Sequence, residues 1–306
     1  MVPAYNEEVL IGSTLEGVPG YVDRVYVVDD GSVDNTCSVM EDVARGDERM
    51  LVVNHNPNRG VGASIVTGYK KALEEGMDVM VVMAGDNQMD PSWLTSLLDP
   101  VVEGRADYSK GNRLASLEYT RGMSRWRLLG NAVLSFLTKI SSGYWGMVDP
   151  QNGYTAISRR ALEAIDLDRV YPGYGYCNDL LVRLNVHSFR VVDVPVPARY
   201  GREKSKIRYS SYIVKVSWLL LRNFFWRIWM KYLVLGFSPV FILYVLGLVL
   251  APVGFLLFIV GLFMPTLAQS LFIRQVVSTA IFSVGAMFLL FAMLFDIQLS
   301  RNGLNS

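Results

Sequence analysis

Val25-Tyr26-Val27-Val28-Asp29-Asp30-Gly31-Ser32 is the stretch that decides the fold. Four β-favouring residues run directly into an acidic turn, the signature of a short strand that ends in a polar cluster. The pattern recurs at residues 78–83, which read as a strand running into Gly85-Asp86-Asn87-Gln88. Further strands are predicted at 50–54 and 189–194, and helices at 33–44, 63–75 and 93–103. Val-rich runs alternating with helical segments predict an α/β fold, a mostly parallel sheet covered by helices on both faces. In such sheets, polar motifs at strand ends gather at the carboxyl edge, where ligands bind. Pro3-Ala4-Tyr5-Asn6-Glu7-Glu8 belongs at that edge too. Only Met1 and Val2 precede it, so its strand is expected to be very short or missing.

The chain of 306 residues divides unevenly. Residues 1–210 have the mixed composition of a globular domain, whereas residues 233–263 contain no charge and 275–295 are a second uncharged stretch. Each exceeds the roughly 20 residues that cross a bilayer at about 1.5 Å per residue. A transmembrane hairpin is therefore expected over 233–298, with a short tail at 299–306. Residues 211–232 interleave Trp218, Phe224, Phe225, Trp226 and Trp229 with Lys215, Arg222, Arg227 and Lys231. That mixture suits an amphipathic helix in the membrane interface, with aromatics at headgroup depth and cations reaching water.

Net charge is only +1, yet nine Lys or Arg against one acid, Glu203, lie between Arg199 and Lys231. The connection between the two apolar stretches holds only Arg274. Positive residues favour the cytoplasmic side, which places the first 210 residues there and the hairpin tip opposite. Adjacent to apolar membrane segments, the basic cluster is expected to meet lipid headgroups and not nucleic acid. Cys37 and Cys177 form no CxxC pair, and with only His55 and His187 as imidazoles no zinc site is expected. The start lacks the basic and apolar regions of a signal peptide, so targeting is expected from the hairpin.

With Asn58-Arg59-Gly60, Gly111-Asn112-Arg113, Asp149-Pro150-Gln151-Asn152-Gly153-Tyr154 and Glu203-Lys204-Ser205-Lys206-Ile207, these motifs follow one another in a familiar order. Over residues 2–210 the chain resembles the inverting family 2 glycosyltransferases with the GT-A (Rossmann-like) fold, and within them the dolichol-phosphate mannose synthase-like polyprenyl-phosphate sugar synthases. The resemblance implies that Pro3, Tyr5, Glu7 and Asp30 line a nucleotide pocket. It implies too that Asp86 and Gln88 lie at a metal site as the second acid and a further ligand of the family's DxD motif. The motif's first acid falls on Ala84. Asn58-Arg59-Gly60-Val61-Gly62 is not a Walker loop, since no Gly-Lys-Ser/Thr follows, and its glycines let a helix start close to the sheet.

The chemistry agrees with that assignment. A nucleoside diphosphate needs a divalent cation, and Mg²⁺ or Mn²⁺ takes one or two carboxylates plus phosphate oxygens and water. Asp86, just past a strand, is placed to supply one. A sugar hydroxyl needs a general base to attack, whereas a phosphate monoester, with a second pKa of about 6, is already largely dianionic and needs only cations to position it. Arg113, Arg125, Arg202 and Lys206 are the candidate cations for that phosphate, with surface salt bridges as the alternative. Asp149 matches a family acid near the sugar or acceptor. Asp179 is read either as a base for a hydroxyl acceptor or as a helix cap. The expectation is transfer of a hexose from a GDP- or UDP-sugar to a polyprenyl phosphate. The rivals are a hydroxyl-directed transferase and a non-catalytic partner subunit lacking a metal ligand at Ala84. Oligomeric state is left open, a homo-oligomer included.

Overall fold

The computed structural model describes residues 1–116, 125–197, 209–263 and 268–302, in two compact units, Met1–Phe224 and Phe225–Ser306. In the first unit the strands are β1 (Val2–Ala4), β2 (Val25–Asp29), β3 (Met50–Asn54), β4 (Val79–Val82), β5 (Tyr108–Asn112), β6 (Thr155–Ser158) and β7 (Val191–Pro195). The helices are α1 (Ile11–Glu16), α2 (Thr36–Arg45), α3 (Val61–Glu74), α4 (Leu94–Val102), α5 (Arg125–Ser142), α6 (Arg159–Ala164), α7 (Tyr176–Val186) and α8 (Tyr209–Trp229), whose last turns enter the second unit.

β1, β2 and β3 pair in parallel, and β4, β6, β5 and β7 form a second ladder in that order. The two join. The Met1 amine donates to Val81 O (2.9 Å), Met83 N–H to Met1 O (3.0 Å) and Gly85 N–H to Pro3 O (3.1 Å), which is parallel pairing of β1 with β4 and its extension. The continuous order is β3-β2-β1-β4-β6-β5-β7. Only β6 runs against its neighbours. The first strand is very short, as its sequence context implied.

Alternation along the strands loads both faces. Val25 and Val27 enter one core with Ile11, Met40, Leu94 and Leu97, whereas Tyr26, Met80 and Val82 enter another with Ile65, Tyr69, Leu180 and Leu184. Burial on both sides explains why these strands read as continuous apolar runs. β5 escaped prediction because Tyr-Ser-Lys-Gly-Asn lacks the β-branched residues that mark strands. Two of its buried polar side chains find partners: Ser109 Oγ donates to Leu97 O (2.5 Å), and Lys110 Nζ donates to Asn152 O.

In the second unit a π-helical turn, Met230–Val234, precedes α9 (Pro239–Phe263) and α10 (Ala268–Asn302). The apolar run beginning at residue 233 enters helix α9 only at Pro239, because a proline without an N–H suits the first turn of a helix. Within these helices, Pro239–Phe263 and Leu271–Ser300 are long and apolar enough to cross a membrane. They pack backbone to backbone at small residues. A Cβ on Gly254 would lie 2.3 Å from Phe282 N, and one on Gly285 would lie 2.3 Å from Ala251 N. Arg227 and Asp296 form a buried bidentate pair (2.9 and 2.8 Å), with Tyr244 Oη donating to the same carboxylate (3.2 Å).

Candidate active site

The turns after β1 and β2 are stitched together by side chains the sequence placed there. Asn6 N–H donates to Ser32 Oγ (2.9 Å), Val33 N–H to Asn6 Oδ1 (2.9 Å) and Glu7 N–H to Thr36 Oγ1 (2.7 Å). Asn6 and Asn87 both sit at positive φ (54° and 57°), a conformation asparagine tolerates better than most side chains. Each adjoins residues of one cavity of about 360 Å³ at the carboxyl edge of the sheet. That cavity is lined by Pro3, Tyr5, Glu7, Asp30 and Asp86, with Asn58, Ala84 and Tyr174. The five residues expected at a nucleotide pocket therefore meet in one place.

Glu7, Asp30 and Asp86 give this cavity a negative field. Burial first, and then the charges of these three acids, raise the Tyr174 phenol above its ordinary value. Asp30 is already engaged by protein donors: Arg59 N–H (2.9 Å), Gly60 N–H (2.7 Å) and His55 Nδ1 (2.9 Å), whose Nε2 is 3.0 Å from Thr67 Oγ1. It braces the segment that opens α3 as well as facing the cavity. Tyr174 was not singled out from the sequence. Its signal was the Pro172-Gly173 turn just before it, and what places it is docking of residues 171–173 on α3, where Ala63 N–H donates to Pro172 O (3.1 Å).

The residues present fit a hard divalent cation with one protein carboxylate. Asp86 faces the cavity, Ala84 beside it brings no oxygen ligand, and among the described residues no group of three His, Cys, Asp or Glu could hold a metal. Mg²⁺-type sites accept this arrangement, because phosphate oxygens and water complete the shell. Gln88 N–H donates to Asp86 Oδ1 (3.2 Å), and Gln88 does not line the cavity.

On the other side of the 86–90 segment lies the loop 149–154. Tyr154 Oη donates to Asp90 O (3.0 Å), and Asn152 Nδ2 donates to Gly111 O (2.8 Å). Arg113, a candidate cation for the acceptor phosphate, and Asp149, expected near the sugar or acceptor, form a bidentate pair, Nε to Oδ2 at 2.8 Å and a second guanidinium nitrogen to Oδ1 at 3.1 Å. Burial opposes ionisation of Asp149, but the Arg113 charge and hydrogen bonds, with Lys110, outweigh it and hold the carboxyl below its ordinary value. Asp193, unremarked in the sequence, supports both partners' neighbours: Val148 N–H (2.6 Å) and Asn112 Nδ2 (3.3 Å) donate to its Oδ2. Burial pushes the Asp193 carboxyl up to about 6.

Asp179 lies in the first turn of α7, where an acid favours the helix N-terminus, although the N-cap position itself is Gly175. Its carboxylate accepts from Tyr171 N–H (2.9 Å), Arg183 Nε (2.9 Å) and Asn223 Nδ2 (2.6 Å). Arg125 opens α5, but its side chain, like Arg202 and Lys206 entirely, lies outside the described residues.

Residues 1–166 match the family described as Glycosyl transferase family 2. The UDP-N-acetylglucosamine–dolichyl-phosphate N-acetylglucosaminyltransferase of Methanococcus voltae is 28% identical over 213 residues, 65% of this chain and 84% of its own. The polyprenol monophosphomannose synthase of Mycolicibacterium smegmatis is 32% identical over 202 residues, 64% of this chain and 75% of its own. Among solved structures, glucosyl-3-phosphoglycerate synthase from Mycobacterium tuberculosis, in complex with Mn²⁺ and UDP-glucose, superposes with a TM-score of 0.53 at 22% identity. That match covers 74% of this chain and 77% of that one, and shows the shared GT-A fold.

Proposed function

Because the chain belongs to glycosyl transferase family 2, we propose that it transfers a hexose from a GDP- or UDP-sugar to a polyprenyl phosphate at the cytoplasmic face of a membrane, with inversion at the anomeric carbon. The observation that carries the donor half is the single cavity shared by Pro3, Tyr5, Glu7, Asp30 and Asp86. The acceptor half rests on the relatives named for dolichyl and polyprenyl phosphates, and on two helices of membrane-spanning length and apolarity.

In this reading Tyr5 offers an aromatic face to the base, and Glu7 accepts from the nucleoside. Asp86 would hold a Mg²⁺ or Mn²⁺, which when bound neutralises the diphosphate leaving group. A phosphate oxygen of the lipid attacks the anomeric carbon as the bond to the nucleoside diphosphate breaks, so configuration inverts in one displacement. No proton has to be removed from a phosphate dianion, and a general base is not required. Arg113 is fixed by Asp149 in a bidentate pair, and a guanidinium held this way is proposed to position the acceptor phosphate. Arg125, Arg202 and Lys206 are proposed to add charge for the same group. The positive cluster before the first span supports the cytoplasmic orientation.

The test is to incubate the detergent-solubilised protein with labelled GDP- and UDP-sugars, polyprenyl phosphate and Mg²⁺ or Mn²⁺. Acid-labile label is expected in the organic phase with one donor. Donor binding without any labelled lipid would overturn the acceptor assignment.

A further inference from the structure

Helix α8 is the element of the first unit nearest in sequence to the apolar helices, and it is divided along its length. Val216, Leu219, Leu220 and Asn223 are buried, whereas Val214, Trp218 and Leu221 are exposed. Its buried side meets α5, the 149–154 loop and Gly175, the neighbour of the cavity residue Tyr174. Ser141 Oγ on α5 donates to Leu220 O (2.8 Å), and Tyr212 Oη donates to Gln151 Oε1 (2.9 Å) in the 149–154 loop. Gly175 lies against Leu219, where an added Cβ would be 2.8 Å from Leu219 Cδ2.

Asp179 is the centre of these contacts. One oxygen takes the amide of Asn223 on α8, and the other takes Tyr171 N–H and Arg183 Nε. Arg183 in turn donates to Arg169 O, so both ends of the turn leading to residues 171–175 are held by one buried ion pair. From there the path to the cavity is short. Pro172 O accepts from Ala63 N–H in the first turn of α3, and Tyr174 lines the cavity beside Asp86.

We infer that Asp179 and Asn223 are positioning residues for the nucleotide-sugar donor: through them, docked α8 sets the 171–175 segment and hence Tyr174 at the cavity. This rests on the nucleotide reading of that cavity, and it assigns Asp179 a role other than proton acceptor. All three hydrogen bonds to its carboxylate come from protein donors, and losing one of them costs the most where the remaining charge is buried.

The two roles separate by experiment on the full-length protein. Calorimetric titration with UDP and with GDP, in the presence of Mn²⁺, identifies the nucleotide that wild type binds. Removing a buried hydrogen bond to a carboxylate should weaken that nucleotide about tenfold in Asn223→Ala. In transfer assays donor KM should rise with kcat little changed. The exchange Asp179→Asn with Asn223→Asp keeps a donor–acceptor pair between the two positions and should recover most of the binding and the turnover. A proton acceptor at Asp179 predicts the reverse, an exchange variant that binds nucleotide but does not turn over. Ser141→Ala, which removes one α5–α8 hydrogen bond and keeps the Asn223–Asp179 contact, should lower the melting temperature and leave nucleotide affinity unchanged. Wild-type affinity in Asn223→Ala, or an equal loss in Ser141→Ala, would overturn the positioning role. Binding of neither nucleotide by wild type would overturn the cavity assignment itself, and this inference with it.

Discussion

The resemblance sets Ala84 at the first acid of the family's DxD motif, which makes a measurable claim about the metal. With Asp86 as the one carboxylate beside Ala84 in the cavity, the protein should require more Mn²⁺ for half-maximal transfer than an Ala84→Asp variant does. A several-fold drop in that concentration is expected, and an unchanged metal requirement would place the ion elsewhere. Asp193 makes a second claim, through its carboxyl raised to about 6 by burial. Between the ordinary carboxylate range and that value the folded state binds more protons than the unfolded one. Asp193 therefore costs stability as pH rises through this window, and the cost is fully present above it. Asp193→Asn removes the cost, so its melting temperature should gain on wild type at pH 7.5 relative to pH 4.5 in paired thermal melts. Residues of the first kind were legible in the sequence, because Tyr5, Glu7, Asp30 and Asp86 sit in turns after strands and need only the sheet to converge. Asp193 and Tyr174 were not. One is a carboxylate in a Val-rich edge strand, and the other reaches the cavity only through tertiary docking of its loop.

At the scale of elements, the close seat of residues 171–173 on α3 depends on two glycines. Gly60 has φ of 96°, and a Cβ on Gly62 would stand 2.2 Å from Tyr171 O, a backbone atom that cannot swing aside. Gly62→Ala should therefore displace the loop, destabilising the protein by about 1–3 kcal/mol and weakening nucleotide binding as well. Denaturation and titration of the same preparation would check both. In the second unit the buried Arg227–Asp296 pair sets a comparable test. Either partner alone replaced by an apolar residue leaves a buried charge, for about 3–5 kcal/mol of destabilisation. Arg227→Met with Asp296→Leu together should be far milder, read as melting in detergent. The sequence announced these apolar helices by their length and their uncharged stretches. It did not announce β5, because the burial of Ser109, Lys110 and Asn112 is tolerable only after Leu97, Asn152 and Asp193 supply their partners.

For the whole molecule, the fold was legible where each strand carried its own signal, and obscure where a strand borrowed its stability from neighbours. The proposed division of labour follows the same line: the acidic cavity for a nucleotide and its cation, the Arg113–Asp149 pair for the acceptor phosphate, and the apolar helices for the lipid chain. The central claim is that a phosphate, not a hydroxyl, receives the sugar. It is tested most directly by giving the purified protein its labelled donor with polyprenyl phosphate in one vessel and the matching free polyprenol in another. Labelled, acid-labile lipid from the phosphate and none from the alcohol is the predicted result. Equal or greater transfer to the alcohol would contradict the account.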